Sequence, residues 1–156
     1  MKRFGNSHAA LFCAFGLVIS GGTGTRADDK EDVKKELKKF EGTWTVESME
    51  SGGKKIPAEA MKDVTLTFEG DKYTVKNGKD VIQVGMQKLD ASKSPKTLDG
   101  TVIEGFGKGA VMPGIYEIDG DTLKVCYDEE GKKRPTEFKT AAGSQTTLAV
   151  YKRVKK

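Results

Sequence analysis

Residues 64–78 read VTLTFEGDKYTVKNG. Val64, Leu66 and Phe68 alternate with Thr65, Thr67 and Glu69; after Gly70-Asp71, Tyr73 and Val75 alternate with Lys72, Thr74 and Lys76. A period of two puts successive side chains on opposite faces of an extended strand, so each segment carries one apolar and one polar face. Asn77-Gly78 then calls for a tight reversal, because both central positions of a type I′ turn need positive φ. A chain written this way is committed to antiparallel strands that must bury one face.

The same pattern covers most of the chain. Short strands are expected at roughly 43–51, 63–69, 72–77, 80–89, 97–104, 112–119, 122–128 and 146–153, separated by gaps rich in turn residues. Asp119-Gly120-Asp121 reads as a hairpin turn, and residues 57–61 (PAEAM) as one helical turn. In residues 81–89 the apolar positions Val81, Ile82, Val84, Met86 and Leu89 do not select one face. Eight antiparallel strands joined by short turns predict an all-β, up-and-down sheet curled into a barrel, which removes its own edges. A β-sandwich is the alternative and needs longer crossovers.

Residues 28–40 (DDKEDVKKELKKF) differ in period. Val33, Leu37 and Phe40 fall at i, i+4 and i+7 on one helical face, with acidic residues early and lysines late, an order that complements the helix dipole. Three apolar residues cannot hold such a helix alone, so it is expected to dock as a cap on the next element.

Residues 1–27 look different again. Lys2 and Arg3 precede the apolar run AALFCAFGLVIS, and Thr25-Arg26-Ala27 follows a Gly/Thr-rich stretch. This is the layout of a secretory signal peptide cleaved after Ala27, leaving a working domain of residues 28–156 that is exported to the periplasm or outside the cell. The run is shorter than the ~20 apolar residues of a membrane-spanning helix. Cys13 sits within it rather than behind small residues at its end, which argues against a lipoprotein anchor. No later segment is long and apolar enough to span a membrane.

Removing residues 1–27 takes away Lys2, Arg3 and Arg26, so 24 basic residues face 23 acidic ones, a formal +1. That balance carries no signature of nucleic-acid binding. His8 is the only histidine, and it falls in the leader. The domain therefore lacks His-based acid–base chemistry, His-activated nucleophiles and His-containing zinc sites. One remaining cysteine, Cys126, makes neither an internal disulfide nor a thiolate metal site; it is read as buried. Residues 105–109 (GFGKG) lack the strand-to-helix context of a nucleotide fingerprint. Glu117, between Tyr116 and Ile118, alternates outward to solvent. No catalytic residue, metal or cofactor is assigned, and no enzyme is expected.

A barrel interior either fills with side chains or holds one small ligand. Phe68, Tyr73, Val75, Leu98, Val102, Leu123, Val125 and Tyr127 are placed facing inward, with Phe68, Tyr73, Val102 and Tyr127 as candidate ligand contacts. Two readings follow. The domain binds a small apolar molecule, or it is a filled, non-catalytic, envelope-associated interaction protein. Its oligomeric state is not written in the sequence.

A helix feeding Gly42-Thr43-Trp44 at the first strand of an eight-stranded meander resembles the start of a lipocalin-type (calycin) barrel. The succession GTWTVESMESGGKKIPAE, LTFEGDKYTVKNG, GIYEIDGDTLKVCYDEEGKKRPTEF and LAVYKR, covering about residues 38–154, resembles the lipocalin-like domain of exported, planctomycete-type bacterial proteins. The resemblance implies a fold and a compartment, and brings no catalytic residue. It also implies that Trp44, the only tryptophan, plugs the barrel end under a basic side chain from a late strand. Arg153 is the first candidate and Arg134 the second, the only arginines among the 24 basic residues of 28–156. A stacked guanidinium contributes about 0.5–2 kcal/mol; an ordinary surface role for Arg153 is the alternative.

Overall fold

The computed structural model describes residues 27–155. Of the expected leader only Ala27 falls within that span, where it opens the first helix; the signal-peptide reading, with His8 and Cys13, lies outside the described residues.

The chain folds as helix α1 (Ala27–Phe40), strands β1 (Gly42–Ser51) and β2 (Lys54–Ile56), a single helical turn α2 (Ala58–Met61), and strands β3 (Val64–Glu69), β4 (Lys72–Asn77), β5 (Asp80–Asp90), β6 (Lys96–Gly105), β7 (Val111–Asp119), β8 (Thr122–Asp128) and β9 (Thr146–Arg153). All strand pairings are antiparallel. The order β1-β3-β4-β5-β6-β7-β8-β9 closes on itself through β1–β9, which makes an eight-stranded barrel. β2 is an addition that sequence reading did not foresee. Residues 42–45 of β1 pair with β3, but beyond Thr45 the two strands part, and residues 49–51 of β1 take Lys54-Lys55-Ile56 as their partner instead.

Turn chemistry sets the registers. The two-residue loops after β1, β3, β4 and β7 begin at Gly52, Gly70, Gly78 and Gly120, with φ of 55, 61, 60 and 55°. The loop between β4 and β5 is thus Gly78-Lys79, closed by the pair Asn77 and Asp80, one residue later than the Asn77-Gly78 expectation. Glycine takes the first central position because left-handed backbone costs it nothing.

Three bulges bend the sheet, at Glu47 of β1, Ile82 of β5 and Ile103 of β6. An extra residue flips the alternation that follows it. β5 shows no clean apolar face because its barrel side carries Gln83, Gly85 and Gln87 before Leu89, while Val84 and Met86 have the opposite parity and Val81 and Ile82 are exposed.

The main core lies inside the barrel and includes Phe40, Trp44, Phe68, Tyr73, Leu98, Tyr116, Leu123 and Tyr151. A second buried layer lies outside it. Ile115 and Cys126 are register partners on the opposite face from Tyr116 and Val125, and both are buried under the connection formed by residues 129–145. Arg134 and Lys139 of that connection bond to β6, β7 and β8: the Cys126 thiol donates to the Lys139 carbonyl at 3.6 Å, and burial pushes that thiol above its ordinary pKa. Asp128, 6% exposed, holds the start of the connection by accepting from the backbone N–H groups of Glu130, Lys132 and Lys133 at 3.2, 2.9 and 2.7 Å.

Candidate functional site: a barrel closed at one end

α1 lies across the end of the barrel where β1 begins and β9 finishes. Phe40 carries its stripe into the interior and is fully buried, with its ring edge-to-face on Phe68 (5.1 Å, 76°) and Tyr116 (5.0 Å, 68°). Contacts of this geometry add about 0.5–1.5 kcal/mol each beyond area burial. Trp44 follows and is also fully buried; its indole Nε1 donates to the Phe40 carbonyl at 2.7 Å, which satisfies one of the orphan acceptors at the helix C-terminus.

Arg153 is the register partner of Trp44, and its guanidinium carbon lies 4.1 Å from the Trp44 ring centroid. The same guanidinium donates to the Lys39 carbonyl at 2.6 Å and to the Glu41 carbonyl, and its Nε lies 3.2 Å from Asp121 Oδ1. One planar fork therefore joins the last strand, the helix terminus and the β7–β8 turn, which a lysine cannot do. Arg134 is placed elsewhere. It donates to the carbonyls of Leu98 (2.8 Å) and Gly114 (2.7 Å) and to Asp99 (2.6 Å), and so straps the long connection onto the outside of β6 and β7.

Glu36, which sequence reading passed over, completes the cap. It is 5% exposed and accepts from Lys39 (2.5 Å), Lys96 (3.0 Å) and Tyr116 (3.1 Å). Burial pushes its carboxyl upward, but the hydrogen bonds from Lys39, Lys96 and Tyr116 outweigh that and hold it below the ordinary carboxylate range. The signal was present in the spacing: position 36 lies three residues after Val33 and four before Phe40, on the docking face of the helix.

Beyond this floor the interior is not filled. A cavity of about 180 Å³ runs from Phe40, Leu66 and Phe68 toward the opposite mouth, where Met49, Val64, Val75, Gln83, Met112 and Tyr127 line it. Every lining residue is uncharged. Of the four candidate contacts, Phe68, Tyr73 and Tyr127 line it and Val102 does not. Val102 is buried as the register partner of Gly85, and Tyr73 takes that stretch of wall: a Cβ added to Gly85 would fall well under 3.0 Å from Tyr73 Cζ and Oη. Val75, Leu98 and Val125 also line the cavity, whereas Leu123 is fully buried outside its lining.

Burial pushes the hydroxyls of Tyr73 and Tyr151 up to about 12 and that of Tyr127 well above its ordinary value. The interior thus disfavours negative charge. Two polar atoms in the wall, Tyr73 Oη and Gln87 Nε2, are buried and find no hydrogen-bond partner among the described residues. Gln87 was missed because only apolar positions were taken as inward; its parity with Gly85 and Leu89 gives it away.

The open mouth carries exposed apolar side chains. Val81 and the bulge residues Ile82 and Ile103 are 54, 40 and 39% exposed, Phe106 is 86% exposed in the β6–β7 loop, and Val111 47%. Glu117 faces solvent, with Lys124 at 3.8 Å. No helix of the described residues is long and apolar enough to cross a membrane. No group of three or more potential metal-ligating side chains occurs among the described residues.

No family model matches the chain, and no curated protein matches it.

Proposed function

We propose that this domain is an exported, non-catalytic binding protein of the lipocalin-like type that holds one small, mainly apolar molecule in its barrel. The uncharged cavity of about 180 Å³, floored by Phe40 and Phe68 and running to the mouth away from the helix, carries this reading. A dry apolar cavity of about 150 Å³ accommodates benzene. The expected ligand is therefore of the order of one ring with a short substituent, smaller than a long acyl chain. The eight-stranded barrel and the stacked Trp44–Arg153 pair support the lipocalin-like kinship, and the leader-like residues 1–27 support export.

Methyl NMR of the folded protein tests the reading through Met49 and Met112, which line the cavity near its mouth. Titration with α-methylstyrene is expected to shift both resonances saturably. In Gly100→Val the response should disappear, because a Cβ at Gly100 meets Met112 and Tyr73 only at ordinary contact distances of 3.6 Å or more and the added methyls enter the cavity. Absence of a saturable shift in the wild-type protein refutes the reading.

The exposed apolar set around Phe106 favours a second reading, an envelope-associated interaction protein that uses its mouth as a contact surface. Under that reading Phe106→Ser abolishes partner association and leaves the α-methylstyrene response intact.

A further inference from the structure

Tyr73 and Gln87 are each 7% exposed, and each brings an unpartnered polar atom to the cavity wall. Most buried polar side-chain atoms in folded proteins have a partner, so two in one wall call for an explanation. The two lie close together through the glycines beside them. Tyr73 leans across Gly85, its register partner, and its Oη stands 3.9 Å from where a Cβ on Gly100 would be. Gly100 is in turn the register partner of Gln87. Side chains at positions 85 and 100 would crowd or cover this strip; with glycine at both, the two side chains that carry the unpartnered atoms line the cavity.

Resting on the binding function proposed above, we propose that this strip is a polar subsite for a neutral hydrogen-bond acceptor, and that the ligand is a small ring compound carrying a carbonyl group. A carbonyl oxygen has two lone pairs and so matches two donors, the Tyr73 hydroxyl and the Gln87 amide. A carboxylate does not fit, because the lining holds no cation and burial of an unpaired anion is strongly unfavourable. Burial also keeps Tyr73 protonated, and so a donor, up to about pH 12. Meanwhile Phe68, Val75 and Met112 offer only apolar surface to the body of the ligand.

Three probes of nearly equal shape test the subsite: acetophenone, α-methylstyrene (in which CH₂ replaces the carbonyl oxygen) and benzoate. Dissociation constants come from Met112 methyl shifts in the wild-type protein, Gln87→Leu and Tyr73→Phe. The quantity read is the preference for acetophenone over α-methylstyrene, compared between proteins so that the water-transfer terms of the probes cancel. Gln87→Leu should reduce it about fivefold and Tyr73→Phe about threefold, the size of one neutral hydrogen bond each. Benzoate should bind at least about tenfold more weakly than acetophenone. Both variants remove an unpartnered buried polar atom at nearly constant shape, so their melting temperatures should match or exceed that of the wild-type protein. An unchanged preference in both variants, with α-methylstyrene still bound, overturns the subsite and leaves the binding cavity standing. Tighter binding of benzoate than of acetophenone overturns the neutral-acceptor assignment. If neither neutral probe binds, the cavity reading falls and the subsite with it.

Discussion

The two ends of the barrel are built on opposite principles. Under α1, Phe40 and Trp44 are fully buried, the indole N–H is bonded, Glu36 has three partners and Arg153 fastens three elements at once. Above that floor the interior holds space and two buried polar atoms of its wall lack partners, and at the other mouth Phe106 and Ile82 face outward. The difference teaches where the sequence invests stability and where it tolerates a deficit. Natural proteins depart from full internal consistency mainly at functional sites.

Truncating the floor should cost most. Trp44→Ala is expected to destabilise the domain by about 3–5 kcal/mol in urea unfolding, while Met112→Ala, half-buried at the cavity, costs about 1 kcal/mol or less. Equal losses at the two sites would erase the contrast.

The paired glycines sharpen it. Gly85→Ala drives a methyl into the Tyr73 ring and the Thr101 carbonyl and should cost about 1–3 kcal/mol in the same assay. Gly100→Ala has room and should stay within about 0.5 kcal/mol of the wild-type protein. A comparable loss in both would show that the strip beside Gln87 is already full.

Arg153→Lys keeps the charge and removes the fork and the stacked plane. A loss of about 0.5–2 kcal/mol with a shift in Trp44 fluorescence is expected. If neither changes, Arg153 is an ordinary surface residue.

Glu36 gives the smallest effect and the clearest pH signature. Its folded pKa lies below the unfolded value, so its contribution is present above the ordinary carboxylate range and is lost as pH falls through the folded pKa. With Lys39 and Lys96 partly exposed and therefore screened, that contribution is on the order of 1 kcal/mol. Glu36→Gln should flatten the acid limb of stability against pH; an unaltered limb would assign acid sensitivity to other carboxylates.

Sequence reading captured the parts of this fold that obey one period. Residues 64–69 and 72–76 each alternate without interruption, and their strands form where the pattern places them. The stripe Val33, Leu37, Phe40 gave the helix and its docking face. What escaped depends on contacts distant in sequence. β2 exists because β1 leaves β3 after Thr45, and three residues of Lys54-Lys55-Ile56 carry no pattern of their own. Gln87 has the parity of Leu89, but a polar side chain adds nothing to an apolar pattern, so a search for apolar faces passes over it. Phe68, Tyr73 and Tyr127 could be placed inward from alternation alone, but Val102 needed the position of the Tyr73 ring. Cys126 reads as buried from residue type; that an outer connection rather than the barrel interior covers it follows from Lys139.

The most direct test of the contrast between the two ends is one NMR titration of the folded protein with α-methylstyrene, following the Met49 and Met112 methyls together with the Trp44 indole N–H. The account predicts saturable shifts at both methyls and a stationary indole, because the cavity reaches those methionines and ends at Phe40, short of Trp44. Stationary methyls, or an indole that moves with them in proportion, would contradict it.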